Sequence, residues 1–390
     1  MSIYAVCTPG LERALAEELE ELLGREVHIQ PGGVEAEGDL VDAAGLCLWS
    51  RCAAKILFVL GEVHAASLQQ LEQEVRKLDW SEILHPGQQV VVKVAGRGRI
   101  KHHDAVSKKV GFAIADSLRA SAQPTPKAGK RGRGAKRGSA APKRRFQARG
   151  PRRNHAPLTL QVRLDERVAR LSLDAGGLLH KRGYRQSTAK APIRENLAVC
   201  ILRMAGWQPG VPLVDPMCGA GTFSIEAAMW AADVAPGLKP PPVTGLPGFP
   251  DDAWKTMLDE AKSAQSLASE LPILTADRDK GACRATQENA SRAGVHIAPV
   301  CKDISKAFET TLEGPGLVVL NPPYGVRVAD NVKLAPLYHK IGGALRAQFP
   351  GWRVVMVCPD KALAGRVAKM EELVRFKNGG ISVGVYVGQL

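Results

Sequence analysis

Leu213-Val214-Asp215-Pro216-Met217-Cys218-Gly219-Ala220-Gly221-Thr222 decides how the second half of this chain is read. A short apolar run ends in an acid, two closely spaced glycines follow, and Thr222 to Ala232 continues as a nearly all-apolar segment at helical length. That is a strand, a tight turn and a buried helix. Outward from it, the pattern alternates. Ile193 to Ala205 predicts a helix before the strand at 213–214, and a Pro- and Gly-rich insertion at 235–252 precedes a helix over Trp254 to Leu267. Strands are predicted at Ile273 to Ala276, Ile297 to Val300, Leu317 to Leu320 and Arg353 to Val357, with helices at Lys280 to Ala293 and along apolar positions 334, 337, 338, 341 and 345. A terminal hairpin turns at Gly379-Gly380. Such alternation implies an α/β doubly wound sheet with its ligands at the carboxyl ends of the strands.

Four loops at those strand ends carry candidate chemistry. The loop Asp215 to Thr222 offers backbone N–H donors at a helix N-terminus, or is simply a tight turn. It lacks G-x-G-x-x-G, since position 224 is Ser, and the chain holds no G-x-x-x-x-G-K-[ST], which weighs against a dinucleotide-type Rossmann loop and a P-loop. Asp277 ends the next strand, where a carboxylate can accept both hydroxyls of a ribose or cap the following helix; capping suits Asp279 better. Asp303 follows Ile297 to Val300 and either accepts from an adenine amino group or is an N-cap. Asn321-Pro322-Pro323-Tyr324 ends the strand Leu317 to Leu320. Two prolines forbid a continuing strand or helix, so the tetrapeptide is a rigid loop. The Asn321 side-chain carbonyl and the Pro322 backbone carbonyl are acceptors that can converge on one amino group, and Tyr324 supplies a flat face for stacking. Alone this is a turn with a buried Tyr; beside the glycine loop and both acids it reads as a site.

The 390 residues, 45% hydrophobic, suffice for two or three domains. The longest apolar stretch, Leu46 to Leu60, is broken by Arg51 and Lys55, and no basic-then-apolar leader opens the chain, so the expectation is a soluble, cytoplasmic protein. Eight scattered cysteines form no C-x-x-C and no metal spacing with histidine; they read as buried thiols, with no metal expected. The first sixty residues follow the ferredoxin-like order: strand 3–6, helix 11–23 closed by Gly24, strands 27–30 and 33–37, helix 40–48 and strand 56–60. A second unit has a helix near 68–78, a strand at 89–94, a helix at 104–118 and a hairpin, 158–164 with 167–173, around Asp165-Glu166. Between that helix and that hairpin, residues 121–156 are rich in Ala, Gly, Pro, Lys and Arg, with Phe146 their only aromatic. Twelve Lys or Arg lie between Lys127 and Arg153; removing them from the total of 53 leaves 41 against 39 acids, so nearly all of the +14 net charge sits in this arm. The composition predicts disorder, and Lys130, Arg131, Arg133, Lys136, Arg137, Lys143, Arg144 and Arg145 are its candidate RNA contacts, or else a solvated linker.

Residues 188–390 resemble class I S-adenosylmethionine-dependent methyltransferases of the amino-methylating type, which carry [DN]-P-P-[YFW]. Ala191-Pro192-Ile193-Arg194-Glu195, Asp215-Pro216-Met217-Cys218-Gly219 and Asn321 to Gly325, behind a ferredoxin-like unit, resemble the bacterial 23S rRNA guanine-N(2)-methyltransferases. The resemblance implies an α+β ferredoxin-like unit at 1–65, a THUMP RNA-binding domain at 66–183 interrupted by the arm, and a Rossmann-like methyltransferase domain at 184–390. It implies S-adenosylmethionine as cofactor, with Asp215, Pro216, Met217, Cys218, Gly219, Gly221 and Thr222 around the methionine end. Asp277 would hold the ribose, Asp303 the adenine, and Glu195 a place near the methionine group. Asn321, Pro322, Pro323 and Tyr324 would form the catalytic loop. The implied partner is 23S rRNA or a large-subunit assembly intermediate, with neither membrane nor metal. Some family members continue into a second methyltransferase domain; a chain ending at Leu390 leads one to expect a single activity. Rival readings keep the chemistry on a tRNA, on an adenine amino group or on a protein glutamine, or drop it for a non-catalytic RNA-binding assembly factor.

Overall fold

The computed structural model describes residues 1–121, 157–186, 192–266, 271–306, 308, 312, 314–323, 334–378 and 380–390. By contacts the chain falls into two compact units: residues 1–58 with 175–244 and 250–390, and residues 59–174 with 245–249.

The first unit opens with β1 (Ser2–Val6), α1 (Glu12–Leu23), β2 (His28–Gln30), β3 (Gly33–Glu37), α2 (Leu40–Trp49) and the start of β4 (Lys55–His64). Leu15 and Leu19, four apart, are fully buried on one face of α1, and Gly24 ends the helix in the left-handed region (φ 64°) with its N–H on Glu20 O at 2.9 Å. Asp39 caps α2 reciprocally with Asp42. The strand order β2-β3-β1-β4 matches the ferredoxin-like reading.

The second unit takes the rest of β4 and adds α3 (Leu68–Lys77), α4 (Trp80–Ile83), β5 (Val90–Gly98), α5 (His103–Ser121), β6 (Leu158–Glu166) and β7 (Val168–Asp174). β5 runs parallel to β6, and β6 antiparallel to β7. Because side chains alternate between the faces of a strand, Leu158, Leu160, Val162 and Leu164 bury one face of β6, together with Ala169, Leu171 and Leu173 of β7. The sequence reading lacks α4, which Asp79 caps through Ser81 N and Trp80 anchors at 1% exposure.

The remainder of the first unit comprises α6 (Glu195–Met204), β8 (Leu213–Asp215), α7 (Thr222–Ala231), α8 (Ala253–Ala264), β9 (Ile273–Asp277), α9 (Lys280–Arg292), β10 (Val300–Cys301), β11 (Leu317–Leu320), α10 (Leu334–Gln348), β12 (Arg353–Cys358), α11 (Lys361–Val367), β13 (Met370–Asn378) and β14 (Ile381–Gln389). Its sheet has the order β10-β9-β8-β11-β12-β14-β13. The first five strands are parallel, and β14 is antiparallel to β12 and β13. β8 and β11 are buried throughout, as central parallel strands must be. Successive crossovers run outward from β8 in one direction and from β11 in the other. The switch point therefore lies between β8 and β11, whose carboxyl ends are Asp215 and Leu320.

Three expectations change. The strand predicted at 297–300 is only Val300–Cys301, because Ile297 instead packs into the apolar cluster of Ile225, Met229 and Ala290. α6 starts at Glu195 rather than Ile193, since Arg194 is extended (φ −71°, ψ 148°). α11, absent from the sequence reading, is capped by Asp360 and buries Ala364 and Val367. All eight cysteines are free thiols, Cys301 alone being exposed. Among the described residues no helix is long and apolar enough to cross a membrane.

Candidate active site

The loop from Asp215 to Gly221 is held from below by β9 and from the side by α9. Cys218 N donates to Ala276 O at 3.0 Å, and Gly221 N closes the turn on Cys218 O at 2.8 Å. Gly219 N donates to Asp277 Oδ2 at 3.0 Å. From α9, Thr286 Oγ1 donates to Gly219 O (3.1 Å) and Asn289 Nδ2 to Ala220 O (3.1 Å). Both side chains are fully buried, and they hold the loop by its carbonyls. The sequence reading missed Thr286 and Asn289. Two polar residues three apart on a helix face that otherwise buries Cys283, Ala285 and Ala290 are the signal that could have found them.

Asp215 is 1% exposed and accepts from Ser224 Oγ at 3.0 Å; Ser224 accepts from Thr275 Oγ1 at 2.8 Å. Burial pushes the Asp215 carboxyl up to about 7, against the pull of the Ser224 hydrogen bond. Burial likewise pushes the Cys218 thiol far up, so it is an inert thiol 3.4 Å from Thr286 Oγ1.

One pocket gathers Asp215, Met217, Cys218, Gly219, Ala220, Thr222 and Phe223 with Pro192, Ile193 and Asn321. Residues on three separate stretches of the sequence thus meet at the switch point. The N-terminus of α7, which follows this loop directly, has no N-cap side chain; the Asp215 carboxylate takes the Ser224 N–H, which leaves those of Thr222 and Phe223 for a ligand. Asn321 Oδ1 is buried and has no hydrogen-bond partner among the described residues. Pro322 is buried beside it and Pro323 half-buried. Tyr324, Gly325, Ala191 and the eight arm residues Lys130 to Arg145 lie outside the described residues.

The remaining candidates are engaged by protein groups. Asp277 accepts from Gly219 N and, through Oδ1, from Asp279 N at 2.9 Å, which leaves lone pairs on both oxygens; Asp279 itself caps α9, as the sequence suggested. Asp303 opens a short 3-10 turn, accepting from Ser305 N (3.1 Å) and Ser305 Oγ (2.8 Å), and Lys340 Nζ lies 3.0 Å from its carboxylate. Lys340 first, and then Ser305, hold its carboxyl down at about 2. Glu195, 3% exposed, pairs with Arg185 at 3.1 Å while burial pushes its carboxyl up. Arg185 also donates to Ile193 O, so this unforeseen residue fixes one wall of the pocket. Among the described residues no group of three or more His, Cys, Asp or Glu could hold a metal.

Comparison with known proteins places the fold in a family. Residues 182–384 match the family described as RMKL-like, methyltransferase domain, and residues 2–57 match the RlmL ferredoxin-like domain. A Synechocystis sp. protein, named provisionally as an RNA methyltransferase, is 30% identical over 97% of this chain and 94% of its own length. The ribosomal RNA large subunit methyltransferase K/L of Chromohalobacter salexigens is 32% identical over 97% of this chain, but the chain spans only 51% of that protein. The crystal structure of SMU.472, provisionally named a methyltransferase and complexed with SAH, superposes with a TM-score of 0.80 at 26% identity, covering 99% of this chain and 97% of the other. The chain belongs to the RMKL-like methyltransferase family, with an RlmL-type ferredoxin-like domain in front of its Rossmann-like catalytic fold.

Proposed function

We propose that this protein methylates the exocyclic amino group of a guanine in 23S rRNA, giving N(2)-methylguanosine, with S-adenosylmethionine as the methyl donor. The observation that carries the reading is the Oδ1 of Asn321, buried and without a partner among the described residues, on a side chain that lines the glycine-loop pocket. A buried carbonyl without a donor is costly unless a ligand supplies one, and an amino group is the donor that fits.

The pocket's donor set suits the cofactor. The start of α7 suits the carboxylate of its methionine end, and the second lone pairs of Asp277 suit the ribose hydroxyls. When bound, S-adenosylmethionine supplies a methyl group made electrophilic by its sulfonium. The chain's own contribution is positional and electrostatic. A base amino nitrogen is a poor nucleophile because its lone pair is delocalised into the ring. Asn321 Oδ1 and the Pro322 carbonyl accept its two hydrogens, favour a pyramidal nitrogen and stabilise the positive charge that grows there. The paired prolines hold both acceptors at a fixed angle, so little reorganisation is left to the moment of reaction. Tyr324 stacks on the extruded base.

Residues 66–183 act as a THUMP-type RNA-binding domain between the 1–65 and 184–390 segments, and the basic arm adds phosphate contacts without sequence information. The setting is the cytoplasm, and the substrate is the rRNA itself or a large-subunit assembly intermediate. The K/L relatives' names and the basic arm support RNA over the rival acceptors.

Asn321→Ala is expected to lower methyl transfer to rRNA by about 10²–10³-fold, the range for losing one preorganised polar group. Calorimetric S-adenosylmethionine affinity should stay within about twofold of wild type. Equal turnover by both proteins sinks the mechanism. Nucleoside mass spectrometry of rRNA from cells lacking the protein tests the substrate: one N(2)-methylguanosine should disappear and return on addition of the purified enzyme.

A further inference from the structure

On β5 and β6 of the second unit one face packs inward and the other is largely exposed, whereas on β7 that second face is closed, with Ser172 and Asp174 buried. On β5 the outward positions Val91, Lys93, Ala95 and Arg97 are all exposed, Val91 by 48%. Register places Lys93 opposite Gln161, Ala95 opposite Arg163, and Arg97 opposite Asp165. Across the next ladder Arg163 stands directly opposite Arg170. Arg163 and Asp165 are exposed, and Thr159 and Gln161 half-buried, so the open face continues onto β6.

Arg170 has a partner of its own, and Arg163 opposite it has none among the described residues. Opposite charges at Arg97 and Asp165 should pair, yet no ion pair joins them among the described residues. Nor do Lys93 or Arg163 have a hydrogen-bonded or ionic partner there. Surface cations elsewhere in this unit behave differently: Arg76 pairs with Glu72 and Asp116, and Lys109 with Glu72. Among the described residues Lys93, Arg97 and Arg163 have no such ion pair, whereas Arg170 does have a partner. A polyanion lying across the strands is the partner that complements Lys93, Arg97 and Arg163, three exposed cations without an ion pair that outnumber the acid Asp165 on the same face. In sequence, the basic arm joins Ser121 at the end of α5 to Leu158 at the start of β6.

We propose that the outward face of β5 and β6, through Lys93, Arg97 and Arg163, docks the phosphodiester backbone of the RNA. The proposal rests on the RNA reading above and adds a defined surface to it. The contact is electrostatic, so it sets affinity and orientation and leaves base selection to the catalytic pocket.

The test uses the full-length protein and 23S rRNA transcribed in vitro, with binding measured from about 50 to 300 mM salt. Replacing all three residues by Gln (K93Q, R97Q, R163Q) should flatten the slope of log affinity against log salt by about 2–3, the release expected for three phosphate contacts. At about 100 mM salt the affinity should fall about 10- to 100-fold. The charge-conserving pair R97K and R163K should keep the wild-type slope. S-adenosylmethionine affinity, read by calorimetry, should not move in either variant. An unchanged salt slope in the triple variant overturns the proposal, as does tighter binding to vesicles of anionic phospholipid than to RNA. Absence of rRNA binding by the wild-type protein would instead count against the RNA reading itself, so the two failures are distinguishable.

Discussion

Asp215 shows how one side chain ties the site to the stability of its domain. Its carboxyl is pushed up to about 7 in the folded chain, far above the ordinary value of 3.8, because it is buried. Between about pH 4 and pH 7 the folded state therefore keeps a proton that the unfolded state has released, so stability falls as pH rises through that window and is flat above it. Asp215→Asn can still accept from Ser224, and should flatten this slope, gaining stability on the order of a few kcal/mol at about pH 8 relative to about pH 4 when compared with wild type. Urea denaturation across pH checks it; parallel pH profiles would count against it. The stretches 215–222 and 321–323 were legible in the sequence as rigid strand-end loops because of their prolines and glycines, and Asp215, Gly219, Thr222 and Asn321 from them line one pocket. Arg185 was not legible, because an arginine's partners, here Ile193 O and Glu195, are set by packing and not by neighbours in sequence.

Among the elements, the glycine loop depends on α9. Gly221 adopts φ +80°, and a Cβ there would lie 2.6 Å from Thr286 Cγ2 and 2.9 Å from Thr286 Oγ1. Gly221→Ala should therefore displace Thr286, free the Gly219 carbonyl and weaken cofactor binding at least about tenfold, with a loss of about 1–3 kcal/mol in stability from strain and overpacking. Calorimetry and chemical denaturation read the two effects separately, and wild-type cofactor affinity would refute the coupling. Most elements were readable from pattern: α1 and α10 through apolar positions at helical spacing, and α7 through an apolar run of helical length. β10 was not: Ile297 and Val300 look alike in sequence, but only Val300 reaches the sheet, opposite Ala276, while Ile297 is taken by the cluster over α7 and α9. α4 and α11 are single turns or little more, too short for a period to show.

In the molecule as a whole, the first 58 residues group with residues 175–244 and 250–390 through a buried polar network. Glu18 accepts from Ser50 Oγ (2.6 Å), Arg51 N (2.9 Å) and Cys52 N (3.0 Å). Arg51 donates to Val234 O at 3.0 Å, and Arg182 to Arg51 O at 2.6 Å. Arg182 and Glu226, 2% and 0% exposed, form an ion pair at 3.4 Å that Tyr184 joins through Glu226 at 3.0 Å. Leaving one buried charge alone is far worse than replacing both. Arg182→Met should cost about 3–5 kcal/mol, and the double variant Arg182→Met with Glu226→Gln should recover much of it. Urea unfolding of both variants checks the network; additive losses would show that the pair is not coupled.

Consecutive residues alone were enough to specify the alternation that makes the doubly wound sheet, the ferredoxin-like order before it, the two loops of the site and the placement of nearly all excess charge in one segment. Each of these is local: a period, a turn residue or a composition, written in neighbouring positions. Folding was needed to bring Asp215, Ile193 and Asn321 into one pocket, to clamp its loop with Thr286 and Asn289, and to set Lys93, Arg97 and Arg163 on one open face. Those facts depend on strand order, register and burial, which arise from contacts between residues far apart in the chain and which no window of sequence contains.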